Sequence, residues 1–196
     1  MKSTEWMRFF VDQHRRLGKV VFAVTELANS SGMARRSLLV HLNRMTKAGV
    51  IRRYAHGLYG SEPLRPEEFL PYLDRAAYCT GHYALFKHGI VTQAPALVTC
   101  FANRRHGRRR VLRTGAGDFE FVMPSARIYR APAAGVLAPA HQALCDFVFL
   151  CLRKGVSPDA VVSLRRLHTL DGSEIDGMLA VYPLTVRREV RRMMGG

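Results

Sequence analysis

Residues 26–51 read ELANSSGMARRSLLVHLNRMTKAGVI, and the spacing of small, polar and apolar positions in this stretch decides the fold of the first third of the chain. Thr25 starts a helix that carries Leu27 and Ala28, the latter small enough to let two helices cross closely. Asn29, Ser30, Ser31 and Gly32 form a polar break. A further helix is expected from about Ala34 to Ala48, because Leu38, Leu42 and Met45 recur at spacings of four and three and give it one buried stripe. Gly49 stops it, and Val50-Ile51 leads into a short strand. Ile51 to Tyr54 and Leu58 to Tyr59 are extended around Ala55-His56-Gly57, a turn calling for positive φ, which Gly supplies and His tolerates better than most residues. Helix, glycine turn, helix, glycine, hairpin is the order of a winged helix-turn-helix.

Outward from this stretch, residues 4 to 17 form an amphipathic helix with Trp6, Phe9, Phe10 and Leu17 on one side, ended by Gly18. Val20 to Phe22 is a short strand. Downstream, Ser61-Glu-Pro-Leu-Arg-Pro66 interrupts any regular element twice, so a domain boundary is placed there. The fold class expected is α+β: a winged helix-turn-helix over residues 1–62, then a mixed α/β domain over 66–196. In the second domain Glu67 to Ala77 and His82 to His88 read as helices. Ala96 to Ala102, Arg109 to Arg113 and Asp118 to Met123 read as extended. Ala140 to Leu152 is apolar on nearly every side, the pattern of a central buried helix. Two more helices, about 158–168 and 173–194, complete the chain, with Pro183 a break point in the second.

Charge and motif point to one class of partner. The chain carries 30 Lys and Arg against 15 Asp and Glu, a net +15, which favours a polyanion. In a winged helix-turn-helix the third helix enters the major groove, led by its N-terminal residues. Arg35, Arg36 and Ser37 hold those positions, where Arg can pair with guanine. Leu39, Val40 and Asn43 lie further along the exposed face, and Asn43 is suited to adenine. Arg44 and Lys47 are placed for phosphates, and Arg52, Arg53 and His56 on the wing for flanking backbone or minor groove. Leu39 and Val40 are apolar where polar residues are usual; contact with thymine methyl groups and packing on a neighbouring domain or a protein partner are all consistent with them. A second basic group, Arg104, Arg105, Arg108, Arg109 and Arg110, crowds a loop. Its charges repel unless an anion, either DNA phosphate or an acidic protein face, neutralises them; a solvated loop is the third option. Arg187, Arg188, Arg191 and Arg192 on the last helix read as a solvated face.

Other chemistries lack their residues. Cys79, Cys100, Cys145 and Cys151 form no paired motif, and Cys79 with His82 has no second pair, so no metal site is expected. Asp118 and Glu120 share a strand side. A restriction-type nuclease needs a Lys two positions after its acidic residue, and Val122 is there. A nucleotidyltransferase needs its acidic pair about ten residues past a Gly turn; Gly81 is too far upstream. No catalytic residue and no cofactor are therefore assigned. No apolar run approaches the roughly 20 residues that span a bilayer, and the N-terminus has no apolar signal core, so no membrane partner and a cytoplasmic location are expected.

The order of short motifs resembles that of the AbiEi family, the antitoxins of type IV toxin–antitoxin systems. The segments concerned are Val21-Phe22 leading into Thr25-Glu26-Leu27, then Gly49 to Ile51 and Gly57-Leu58-Tyr59. Gly81-His-Tyr-Ala84-Leu85 with His88-Gly89, and Ala143-Leu144-Cys145-Asp146, follow; together they span residues 18 to 152. Many members carry Glu-Lys where this chain has His141-Gln142. The resemblance implies double-stranded DNA as partner, at repeated half-sites in the protein's own promoter. It also implies a second domain that counteracts a nucleotidyltransferase-like toxin. The alternative is a winged-helix regulator whose second domain senses a ligand or dimerises.

Overall fold

In a computed structural model, residues 3–106 and 111–195 are described. The chain is mixed α+β and divides into two compact units, residues 1–65 with Arg113–Ala116, and residues 66–112 with 117–196. Separation along the sequence alone does not anticipate that four residues from the middle of the chain group with the first unit.

The first unit runs α1 (Ser3–Leu17), β1 (Phe22–Ala23), α2 (Val24–Ser31), α3 (Arg35–Lys47), β2 (Arg52–Ala55) and β3 (Leu58–Gly60). The strands form an antiparallel sheet in the order β1-β3-β2, with Phe22 opposite Tyr59 and Arg53 opposite Tyr59 on the other side. The stripe Leu38, Leu42 and Met45 of α3 is buried against Trp6 and Phe10 of α1, Phe22, Leu27 of α2 and Ile51. Trp6 stacks on Phe10 at 5.8 Å and Phe10 meets Phe22 at 5.2 Å, so aromatic area supplies much of a core that about 60 residues would otherwise struggle to build.

Two local expectations differ from the structure. Asn29 to Ser31 do not break α2; the helix continues because Ser31 Oγ returns to the Leu27 carbonyl at 2.6 Å, and only Gly32, at φ +66, ends it. In the β2–β3 turn only Gly57 takes positive φ. A register shift between Arg53 and Ala55 absorbs the remainder of the turn.

The remaining elements are α4 (Pro66–Leu73), β4 (Tyr78–Cys79), α5 (Gly81–Lys87), β5 (Val98–Phe101), β6 (Val111–Thr114, whose last two residues group with the first unit), β7 (Gly117–Val122), α6 (Ala140–Arg153), α7 (Pro158–Val161), a 3-10 turn (Leu167–Thr169), α8 (Gly172–Leu179) and α9 (Leu184–Met194). A four-stranded sheet has the order β4-β5-β7-β6, antiparallel at β4–β5 and parallel at β5–β7. Helix α6 is buried from Gln142 to Val148 and again at Leu150 and Cys151, and its neighbours include α5, α8 and α9. The helix expected over 158–168 stops at Val161. Val162 turns extended, and the Arg165 N–H donates to the Ile90 carbonyl at 2.8 Å; a tertiary hydrogen bond takes the backbone out of the helical path. Likewise α4 ends at Leu73 rather than Ala77, where Asp74 accepts from the Ala76 N–H at 2.9 Å and sets a turn. Pro183 is the residue preceding α9, so the last expected helix is two helices, α8 and α9.

Candidate nucleic-acid interface

The N-terminus of helix α3 is poorly made by local rules, and the helix as a whole is strongly positive. Its N-cap is Ala34, which offers no side-chain acceptor, where Ser or Asp would contribute about 1 kcal/mol. Its first two residues are Arg35 and Arg36, cations at the positive end of the helix dipole. It contains no acidic residue, and Arg44 and Lys47 lie in its last turn. Helix α2 shows the ordinary solution a few residues earlier. There Glu26 accepts from the Ala23 N–H at 2.8 Å and pairs with Lys19 at 2.5 Å. Burial opposes ionisation of Glu26, but Lys19 and the Ala23 N–H outweigh it and hold the carboxyl below its usual range.

Arg35, Arg36, Ser37, Val40, Asn43, Arg44, Lys47, Arg52, Arg53 and His56 are all exposed. Arg36, Val40, Asn43 and Lys47 are spaced by four, three and four, so they rise along one outward ridge opposite the buried stripe. Among the described residues no carboxylate pairs with Arg35, Arg36, Arg44, Lys47, Arg52 or Arg53. Arg53 instead lies 3.4 Å from His56 Nδ1 across the hairpin turn.

A groove of about 680 Å³ separates α3 from the hairpin. Arg35, Leu39, Val40, Asn43, Arg44 and Lys47 line it from the helix, and Arg53, His56, Gly57 and Tyr59 from the hairpin. Arg36, Ser37 and Arg52 are not among its lining residues. Leu39 is 39% exposed, Val40 is 50% exposed, and both face the groove. Thr46 lines it too, but its hydroxyl is spent on the Leu42 carbonyl at 2.8 Å.

In the second basic group one arginine is paired within the protein. Arg104 Nε pairs with Asp74 at 2.9 Å and His106 Nε2 with the same oxygen at 2.6 Å. Asp74 is buried; desolvation opposes its charge, but Arg104, the Ala76 N–H and His106 hold its carboxyl below the ordinary range. His106 also lies flat on Phe121, centroids 3.8 Å apart. Arg104 is thus neutralised within the protein by a carboxylate 30 positions upstream, a partner no local pattern reveals. Arg105 is exposed, and Arg108, Arg109 and Arg110 lie outside the described residues.

The arginines of α9 lie on a solvated face, with Arg188, Arg191 and Arg192 exposed, and two of them also pair with neighbouring carboxylates. Arg191 pairs with Asp176 at 2.9 Å, and Arg192 with Asp159 and Glu189 at 2.5 and 2.7 Å. Glu120 of β7 lies 3.6 Å from Lys154. Among the described residues no three His, Cys, Asp or Glu side chains converge as a metal set would, and no described helix is long and apolar enough to cross a membrane. Cys79 and Cys100 are register partners on β4 and β5 with sulfurs 3.8 Å apart. His82 and His88 bond the carbonyls of Gln93 and Ala138 at 3.0 and 2.8 Å. Asp146 of the Ala143–Asp146 motif is fully buried and accepts from Thr80 and Tyr182, each at 2.5 Å. Compared with known proteins, the chain matches no family model and no curated protein.

Proposed function

We propose that the first unit is a winged helix-turn-helix that binds double-stranded DNA, with α3 in the major groove and the β2–β3 hairpin as its wing. The observation that carries this is the N-terminus of α3, where Arg35 and Arg36 stand on an uncapped positive helix end with no acid on the helix. A sequence selected for stability alone would put Ser, Asp or Glu there; cations there make sense when a phosphate backbone neutralises them. In this reading the ridge of Arg36, Val40 and Asn43 reads base edges, Arg44, Lys47 and Arg53 hold phosphates, and Leu39 and Val40 suit thymine methyl groups.

Within that reading the protein is an antitoxin that represses its own operon at repeated half-sites and counteracts a nucleotidyltransferase-like toxin. The support for this second step is the order of short motifs from Val21 to Asp146. The test has two arms. Footprinting of the full-length protein on the promoter of its own gene should show protected repeats; uniform, salt-sensitive coverage without boundaries would leave only non-specific binding. Co-expression with the product of the adjacent gene should restore growth if that product is a toxin. Restored growth is not expected if the protein is a regulator alone.

A further inference from the structure

The C-cap of helix α8 is Ala180, whose carbonyl is one of the unpaired acceptors at the helix's negative end. One arginine suffices to cap it. Two do: Arg187 Nη2 donates to it at 2.7 Å and Arg127 Nη2 at 3.0 Å. Arg187 Nε also donates to the Tyr182 carbonyl at 2.8 Å. The two guanidinium nitrogens therefore lie within about 6 Å of each other, a distance at which like charges repel. Among the described residues neither arginine has a carboxylate partner, although Arg191 and Arg192 on the same helix both do. Neutral carbonyls orient the two forks without cancelling their charge. A guanidinium has five N–H donors; Arg127 commits one to these bonds and Arg187 two.

The two forks border a groove of about 390 Å³ whose walls are otherwise mainly apolar, with Ile128, Val181, Pro183 and Leu184 beside Ser125. Leu184 is 59% exposed. We propose that this groove binds an organic carboxylate bearing a hydrocarbon tail, the carboxylate bridging Arg127 and Arg187 and the tail covering Leu184 and Val181. Paired, pre-oriented guanidinium forks match the two oxygens of a carboxylate. Apolar walls with a few convergent polar groups, in a volume of this order, are the pattern of a small-ligand site. Inorganic phosphate would satisfy the arginines but leave the apolar wall in water. A fatty or aromatic acid and the C-terminus of a peptide ending in an apolar residue share the required chemistry.

Titration calorimetry on the full-length protein tests this with five probes: octanoate, octanamide, a short acetylated peptide ending in leucine as free acid, the same peptide amidated, and inorganic phosphate. At least one free acid should bind saturably, about tenfold or more tighter than its amide. Octanoate alone identifies a small acid as the ligand, the peptide alone a chain terminus. Arg127→Gln should weaken that binding about tenfold with an unchanged melting temperature, since Arg127 is exposed and contributes a redundant cap. Arg187→Gln should weaken it as well, but Arg187 also holds the Tyr182 carbonyl and its loss costs stability, so Arg127→Gln is the deciding one. No saturable binding by either acid, equal binding by the amides, tighter binding by phosphate, or undiminished binding in Arg127→Gln would each overturn the site.

Discussion

Arg36 and Val40 stand one helical turn apart on the exposed ridge of α3, and the two side chains make different demands on a duplex. A guanidinium paired to guanine is worth about 1–3 kcal/mol of discrimination. Arg36→Ala should therefore weaken operator binding by that amount and narrow the gap between operator and scrambled duplex in fluorescence anisotropy. Val40→Ala should lose less, and its loss should vanish on a duplex with uracil in place of thymine; an equal loss on both duplexes would remove the methyl contact. In the second unit Asp146 sets a pH dependence whose sign is opposite to that of most carboxylates. Burial pushes its carboxyl up to about 7, against hydrogen bonds from Thr80, Tyr182 and Gln142 that favour the charged form. Between pH of about 4, where an unfolded Asp ionises, and about 7 the folded chain keeps a proton that the unfolded chain releases. Its contribution is thus fully present below the lower value and falls as pH rises through the upper one. Urea unfolding across that range should show the advantage of wild type over Asp146→Asn shrinking as pH rises; a constant difference would mean the carboxyl is already ionised in the fold.

At the scale of the element, α3 carries a conflict between its own stability and its charge. Ala34 is exposed, so a larger residue meets no steric obstacle. Ala34→Ser should stabilise the first unit by about 1 kcal/mol through a side-chain cap, raising its melting temperature by about 4–8 °C, with little effect on DNA affinity. Ala34→Asp should stabilise at least as much, because it adds a negative charge at the helix N-terminus, yet weaken binding to every duplex. A gain in stability without loss of affinity for the aspartate variant would show that the N-terminus of α3 does not approach phosphate. Lys47→Ala, at the other end of the ridge, should reduce the salt slope of binding by about one unit and leave base preference intact. Arg104→Ala should leave that slope unaltered, since Asp74 already neutralises Arg104.

For the molecule as a whole, the division into two units predicts unequal fragments. The core of the second unit, from Tyr78 through Ala84, Phe101 and α6 to Val190, is drawn entirely from residues after 66; a 66–196 fragment should unfold cooperatively and bind no operator. Residues 1–65 alone should melt lower than the same unit in the full chain. They lose Gly115, whose N–H donates to the Tyr54 carbonyl at 2.7 Å and whose missing side chain makes room for the Arg53 carbonyl, 2.8 Å from where a Cβ would stand. Equal melting temperatures would make that segment dispensable. Periodicity and local turn residues determined the helices of the first unit, its hairpin and the buried character of α6, because each depends on a pattern that runs within a dozen residues. The exposed cations of α3 were legible for the same reason: one stripe buried leaves the opposite ridge outside. Only the tertiary structure decided that Arg104 and Arg191 are paired with carboxylates, that the chain leaves the helix at Val162, that Leu39 faces a groove, and that Arg127 meets Arg187 at Ala180. Each of these depends on a partner many positions away, and a hydrogen bond or ion pair across such a span follows from how elements pack, which the pattern of any single segment does not contain.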